Sequence, residues 1–340
     1  MHTGRRYTTL QTLNWSRQQF LVPAAWATIV TLPYVLLDWH WLAVPWVPIS
    51  VIGVAVAFYL GFKNKESYDR LWEGRKIYGA IVNASRTWAF STRDLMAADA
   101  GASTEPIEPE ELARIHGRLV HRHVAWMDAL RHQLRKPKPW EHHGPYFDSF
   151  RQKAGPVEGK EDVREVLQPN LSSEELGDVL AQINPAAHLL AAQSADLASL
   201  RRRGLLDGFG HTFLQQLLEE LMTQQGRAER IKNFPFPRQY ATVNTLFAWC
   251  FSCLVPFGML HTFAGSGDQL IWLAIPFSTL VSWVFLTTDR IGDWSENPFE
   301  GLANDVPITS MSRGIERDIR QMAGETELPP PREQQGDIQF

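Results

Sequence analysis

The sequence predicts an all-α chain that crosses a membrane four times and carries a large helical region in water. Three observations lead there: charge is missing from two long stretches, the rest repeats its apolar residues at helical spacing, and no segment alternates convincingly as a strand does. Averages hide this. The 340 residues hold 33 Lys+Arg and 37 Asp+Glu, a formal charge of −4, with 44% hydrophobic and 21% charged residues. Such a composition excludes an intrinsically disordered chain. It also lacks the basic field that gathers nucleic acid, so no nucleic-acid partner is expected. Two cysteines exclude a disulfide-stapled secreted domain.

Residues 18–62 and 239–289 contain no Lys or Arg, and their acidic residues are Asp38, Asp268 and Asp289. Each stretch is long enough to cross a bilayer twice, because about 20 apolar residues span the hydrocarbon core. The first breaks at LDWHW, around Asp38 and His40, and the second at AGSGDQ, residues 264–269. Four spans follow: Phe20–Leu37, Leu42–Phe62, Tyr240–Phe263 and Leu270–Thr288. Trp39, Trp41 and Trp46 cluster at the first break, where amphipathic rings prefer a membrane interface. A buried helical hairpin in a soluble core is the competing use of such a stretch, and two of them in one chain run against base rates.

The flanks set the topology. Arg5, Arg6 and Arg17 precede the first span, Lys63 and Lys65 follow the second, Arg227, Arg230, Lys232 and Arg238 precede the third, and Arg290 follows the fourth. The short connections carry no Lys or Arg, so both termini and the middle region belong in the cytoplasm. A multi-pass protein of the inner (plasma) membrane is expected, in contact with lipid. Residues 1–19 show no removable signal peptide.

The expected organisation is a cytosolic segment 1–19, a hairpin 20–62, a cytosolic helical region 63–237, a second hairpin 238–288, a post-membrane segment 289–323 and a disordered tail 324–340. A helix continues directly from the second span, with Tyr68, Leu71, Trp72, Ile77, Ile81 and Trp88 near helical spacing. Others are expected over Pro109–Leu134, Ser172–Arg201 with a bend or break at Pro185, Gly204–Ile231, and Ser310–Met322. Ser173, followed by Glu175 and Leu176, reads as a capped start. Residues 136–145 form a loop by their prolines and glycine.

The second span carries two rows. Val54, Phe58 and Phe62 recur every fourth residue and share a face. Gly53, Ala57 and Gly61 form a small-residue row beside them, of the kind that lets helices approach closely in a bilayer. In a symmetric ring of subunits the large row can point at the axis and form a hydrophobic constriction that gates by dewetting. Phe ring edges carry partial positive charge and can favour an anion there. The alternative is that both rows pack against neighbouring helices or lipid.

Three segments resemble the bestrophins. FYLGFKNKESYDRLWEGR resembles the family's second transmembrane segment, through Leu60, Gly61, Phe62 and then Arg70, Leu71 and Trp72. ERIKNFPFPRQYA, with Pro237 and Tyr240, resembles the stretch leading into the third helix. DRIGDWSENPFEGLANDVP, with Asn297, Pro298 and Phe299, resembles the segment after the fourth. The matches fall in order around the four spans, with residues 136–170 as the exception.

The resemblance implies an all-helical, homopentameric ion channel with a single axial pore and no catalytic role. It implies a neck at Val54, Phe58 and Phe62, and a cytosolic constriction at Phe234 or Ile231. Chloride and other small anions are the expected permeant ions; a sodium-selective cation pore and a non-conducting scaffold are the alternatives. In animal members an acidic run after Asn-Pro-Phe helps clasp calcium. Here Glu300 to Asp305 holds two carboxylates, whereas calcium takes six to eight oxygens, so no calcium activation and no cofactor are expected.

Other candidate chemistry is thin. Cys250 and Cys253 lie on the third span without the further ligands zinc needs, and are expected to be buried as small apolar side chains. His116, His121 and His123 are expected to be solvated on a polar helix, with a metal or pH-sensing role as the alternative. Glu141, His142 and His143 could hold a metal in the proline-bounded loop. Asp289 and Arg290 are expected to pair with each other or cap their helix.

Overall fold

A computed structural model describes residues 1–96, 108–144, 162–265, 269–334 and 336–340. Among these residues there are helices, turns and two isolated β-bridges, and no strand. The chain forms two compact units. One, which we call the apolar unit, is Gly4–Leu71 with Pro235–Asn297; the other, the polar unit, is Met1–Thr3, Trp72–Phe234 and Pro298–Phe340.

The apolar unit contains α1 (Thr9–Trp15), α2 (Arg17–Leu36), the first half of α3 (Trp46–Leu95), α9 (Arg238–Ala264) and α10 (Ala274–Asp293). Four helical stretches are long and apolar enough to cross a membrane: Arg17–Leu36, His40–Leu95, Arg238–Ala264 and Leu270–Asp293. Helix is the required form, because hydrocarbon offers backbone groups no partner and a helix satisfies its own. Pro23 and Pro33 inside α2 and Pro256 inside α9 are tolerated on the same terms. The first hairpin turns at Asp38, whose φ of 54° is a left-handed conformation that Asp tolerates better than most residues. Residues 266–268 of the second break lie outside the described residues.

α1 was not legible as an element. Its start is a capping box: Gln11 N donates to Thr8 Oγ1 at 3.2 Å, and Thr8 N donates to Gln11 Oε1 at 2.8 Å. α2, α9 and α10 pack on one another. One core cluster joins Ile49, Val56 and Leu60 of α3 to Ala248, Phe251 and Val255 of α9 and Leu286 of α10. Two glycines permit the closest approaches. A Cβ at Gly53 would stand 2.7 Å from the Phe251 ring, and one at Gly258 would stand 2.5 Å from the Trp46 ring.

The polar unit is built around α4 (Pro109–Arg135), with α5 (Val163–Leu167), α7 (Pro185–Arg202), α8 (Gly208–Asn233) and α11 (Ile308–Met322) packed on it. α6 (Ser173–Leu180) packs on α7. The expected helix over Ser172–Arg201 breaks at Pro185, which becomes the first residue of α7 because its missing N–H costs nothing there. The cap at α6 is Ser172 rather than Ser173: its hydroxyl accepts from Glu175 N at 3.3 Å. Of the tail, Ile338 bridges His2 and Phe340 O accepts from Ser310 N at 2.7 Å.

The central position of α4 overturns the solvated-histidine expectation. His116 is buried and donates from Nε2 to Ala89 O at 2.8 Å. His123 is wholly buried, shares a 2.9 Å hydrogen bond with Ser85 Oγ, and lies between the rings of Trp88 and Trp126. Burial lowers the pKa of His116 and pushes that of His123 down to about 3, so both are neutral core groups at physiological pH. His121 alone stays part-exposed, beside Asn170 and Glu325. Three of the helix's arginines, Arg122, Arg131 and Arg135, are buried too, whereas Arg114 and Arg118 stay exposed; Arg122 pairs with Glu175 and Asp196.

Gly258→Ala is expected to destabilise the purified protein by about 1–3 kcal/mol, the usual cost of overpacking. Gly117→Ala, on α4 with nothing within 4 Å, is expected to cost nothing. Thermal melts of both variants in one detergent check the contrast.

Candidate pore-lining residues

Between Ile49 and Ser67, α3 buries one stripe: Ile49, Gly53, Val56, Leu60, Lys63 and Ser67. The spacing alternates four and three residues, the seam along which one helix packs against others. Three and two residues in turn separate successive stripe positions, and most of them face away. Val54, Phe58 and Phe62 are 58%, 65% and 59% exposed, although each is apolar. A stripe two positions away on a helix is turned by about 200°, so the large row faces nearly opposite the packed seam.

The small-residue row divides. Gly53 belongs to the seam, against Phe251, whereas Ala57 and Gly61 lie exposed beside the phenylalanines. Cys250 and Cys253 are exposed as well, on the outer surface of α9, and not buried as expected. An isolated chain with so much apolar surface is what a lipid-facing or partner-facing protein presents.

The seam ends in charge. Lys63, with no exposed surface, donates from Nζ to Asp289 Oδ1 at 2.7 Å and to Asp293 Oδ1 at 2.6 Å. Asp289 therefore pairs with Lys63 and not with Arg290. Arg290 instead lies over the rings of Trp15 and Trp294 and donates to Gln19 Oε1 at 2.8 Å. In the sequence Lys63 marks only the cytoplasmic flank of the second span. The signal available was its position, three residues beyond Leu60 on the seam.

Three separated segments meet at Glu296. Arg70 Nε donates to its carbonyl at 2.8 Å, Arg238 donates to its carboxylate at 3.0 Å, and Asn297 Nδ2 donates to the same oxygen at 3.3 Å. These are the three stretches that carry the family resemblance, from the middle of α3, the start of α9 and just past the end of α10.

In the polar unit the two candidates for a cytosolic constriction part company. Ile231, in the last turn of α8, is 7% exposed, while Phe234, which caps that helix, is 66% exposed. Beside them Lys232 is buried against Glu141. Burial raises the pKa of the Glu141 carboxyl and lowers that of the Lys232 ammonium, each against the attraction of the other. Glu141, His142 and His143 do not converge. His142 meets Glu300 at 3.0 Å and His143 Nε2 donates to Lys138 O at 2.9 Å. Among the described residues no three His, Cys, Asp or Glu side chains gather as metal ligands.

The segment after Asn-Pro-Phe turns its carboxylates inward. Gly301 takes a φ of 89°, which glycine adopts freely. Asp305 Oδ2 accepts from Gly301 N at 2.7 Å and Leu302 N at 3.0 Å, while Glu300 accepts from the backbone and ring of His142. Arg135 donates to the carbonyls of Phe299 and Val306. Both carboxylates of the segment are thus engaged, one by His142 and one by backbone N–H groups. Burial, with the Glu300 charge second, pushes Asp305 up to about 7.

Residues 11–321 match the family described as Bacterial/Fungal Bestrophin protein. The chain is 28% identical over 282 residues to the Voltage-dependent anion channel-forming protein YneE of Escherichia coli K12, covering 83% of this chain and 78% of that one. It is 27% identical to the Voltage-dependent anion channel-forming protein RSc3414 of Ralstonia nicotianae, covering 85% and 82%. The crystal structure of a bacterial Bestrophin homolog from Klebsiella pneumoniae superposes with a TM-score of 0.73 at 25% identity, covering 92% of this chain and 99% of that one. An all-helical chain with four membrane-length helices and this match is a bestrophin-class protein. It belongs to the bacterial/fungal bestrophin family.

A carboxyl whose pKa is raised in the folded chain holds a proton that the unfolded chain has lost, so stability falls as pH rises between the two values. For Asp305 that window runs from about pH 4, the ordinary carboxyl value, to the folded value of about 7. Asp305→Asn is expected to remove this decline, seen as a flatter plot of Tm against pH over that window.

Proposed function

We propose that the protein is a passive channel for chloride and other small anions, formed by five copies around one axial pore in the bacterial cytoplasmic membrane. The observation that carries this reading is the exposed row Val54, Phe58 and Phe62 on a helix whose opposite face is packed. A large apolar row left over after packing suits a ring in which each copy contributes it to the axis. The neck is then a hydrophobic constriction, crossed when it wets and closed when it dries. Phe ring edges favour anions over cations in such a neck. The names of the Escherichia coli and Ralstonia relatives, as voltage-dependent anion channel-forming proteins, support the same ion class. Conduction asks for no catalytic residue. Phe234 lines the cytosolic constriction; the burial of Ile231 gives it a supporting place behind. The positive flanks of the spans support a cytoplasmic position for both termini.

Phe58→Ala and Phe62→Ala are each expected to raise unitary conductance several-fold in planar bilayers; unchanged currents from both overturn the neck assignment. Under a NaCl gradient the reversal potential of the parent channel is expected near the chloride value, and a potential near the sodium value overturns the anion reading. Calcium does not open the channel in this reading, because Glu300 and Asp305 are committed to His142 and to backbone N–H groups. Flux from liposomes is accordingly expected to stay the same when micromolar calcium replaces a chelator on the cytosolic side.

A further inference from the structure

The packed seam of α3 is apolar from Ile49 to Leu60 and then changes character at Lys63, the residue that follows Phe62. We propose that Lys63, clamped between Asp289 and Asp293, is a positioning residue for the pore: it sets the rotation of α3 and so the distance that Phe62 reaches toward the axis. This rests on the neck assignment above.

The geometry is that of a built joint. Lys63 Nζ reaches Asp289 and Asp293, one turn apart on α10, at 2.7 and 2.6 Å. The second oxygen of Asp289 accepts from Thr245 Oγ1 of α9 at 2.9 Å, which brings a third helix into the joint. Asn64 Nδ2 donates to Thr288 O at 3.1 Å, a second tie from α3 to α10. α10 presents Gly292 at this crossing; a Cβ there would stand 2.9 Å from Asn64 Oδ1 and 3.4 Å from the Lys63 side chain. The close approach and the charged clamp therefore depend on each other.

Apolar burial cannot supply what this joint supplies. Burial is non-directional and roughly proportional to area, so the contacts of Val56 and Leu60 tolerate small rotations of α3. Charge-assisted hydrogen bonds fix distance and direction together. A buried ion pair is weak evidence for stability, and a well-attested use of such groups is to specify register. At Lys63 the register specified is that of the preceding residue, Phe62. An ionisable side chain at the edge of the hydrocarbon, paired inside the bundle, is expected to serve function.

The test is single-channel recording on Lys63→Met/Asp289→Leu, which removes two partners together and leaves Asp293, whose side chain is 38% exposed, to water. The pair variant is expected to assemble as the parent does on size exclusion, yet to shift unitary conductance and the chloride-to-sodium permeability ratio several-fold. Lys63→Arg, which keeps the charge between the aspartates, is expected to restore the parent values. Combined with Phe62→Ala, the pair variant is expected to produce no further shift, because the positioned ring is gone. A pair variant that conducts and selects as the parent does, while Phe62→Ala changes both, overturns the positioning role and leaves the neck standing. If Phe62→Ala changes nothing either, the neck assignment itself falls. Should the pair variant fail to assemble, Thr245→Val removes only the lateral support of Asp289. A smaller shift of conductance and permeability ratio is then expected, and parent-like permeability overturns the proposal.

Discussion

Everything in the apolar unit depends on α3 being held along one side only. A helix has about 3.6 residues per turn, so a seam with four-three spacing leaves more than half its circumference unpacked. α9 and α10 cover the seam with Ala248, Phe251, Val255 and Leu286. What remains outward includes Val54, Phe58 and Phe62, together with Ala57 and Gly61 and, to the sides, Val51, Ile52 and Tyr59. Outward apolar groups on a lone chain need lipid or another copy, and a channel needs them around an axis. The one-sided packing of α3 is thus what the proposed pore rests on.

The two units use opposite strategies for charge. In the apolar unit charge is scarce and concentrated where spans end, at Lys63 with its two aspartates and at Glu296 with Arg70 and Arg238. In the polar unit charge is abundant and partly internal. Arg122, Arg135, Glu141, Lys232, Glu300 and Asp305 are all buried, and each has a partner inside. Burying a charge is costly unless it is paired and hydrogen-bonded, so these pairs constrain which helix packs where more than they add stability. Asp305 shows the residual cost: its carboxyl holds its proton to about pH 7.

Some errors of sequence reading share one cause. His116 and His123 sit among arginines in the sequence, and Cys250 and Cys253 sit among apolar residues. The first pair is buried and the second exposed. Neighbours along a chain report average polarity, whereas burial depends on which face of a helix meets another helix. α4 lies at the centre of its unit, so much of its polar side is covered, His116 and His123 included, although Arg114 and Arg118 stay exposed. α9 has an outer surface, so even its apolar side is not.

The sequence by itself determined the helical class, the four spans and the break at Pro185, because these follow from local quantities: charge-free length, periodicity and a missing N–H. It also held the exposed row, since Val54, Phe58 and Phe62 share a face by spacing alone. Only the tertiary structure decided which of the parallel rows is packed, that Gly53 is inside while Gly61 is not, and that Asp289 turns to Lys63 rather than to Arg290 beside it. It likewise separated Phe234 from Ile231, three residues apart on one helix end. Those choices rest on contacts between residues some two hundred positions apart, and a helix repeats every 3.6 residues whichever neighbour it will meet.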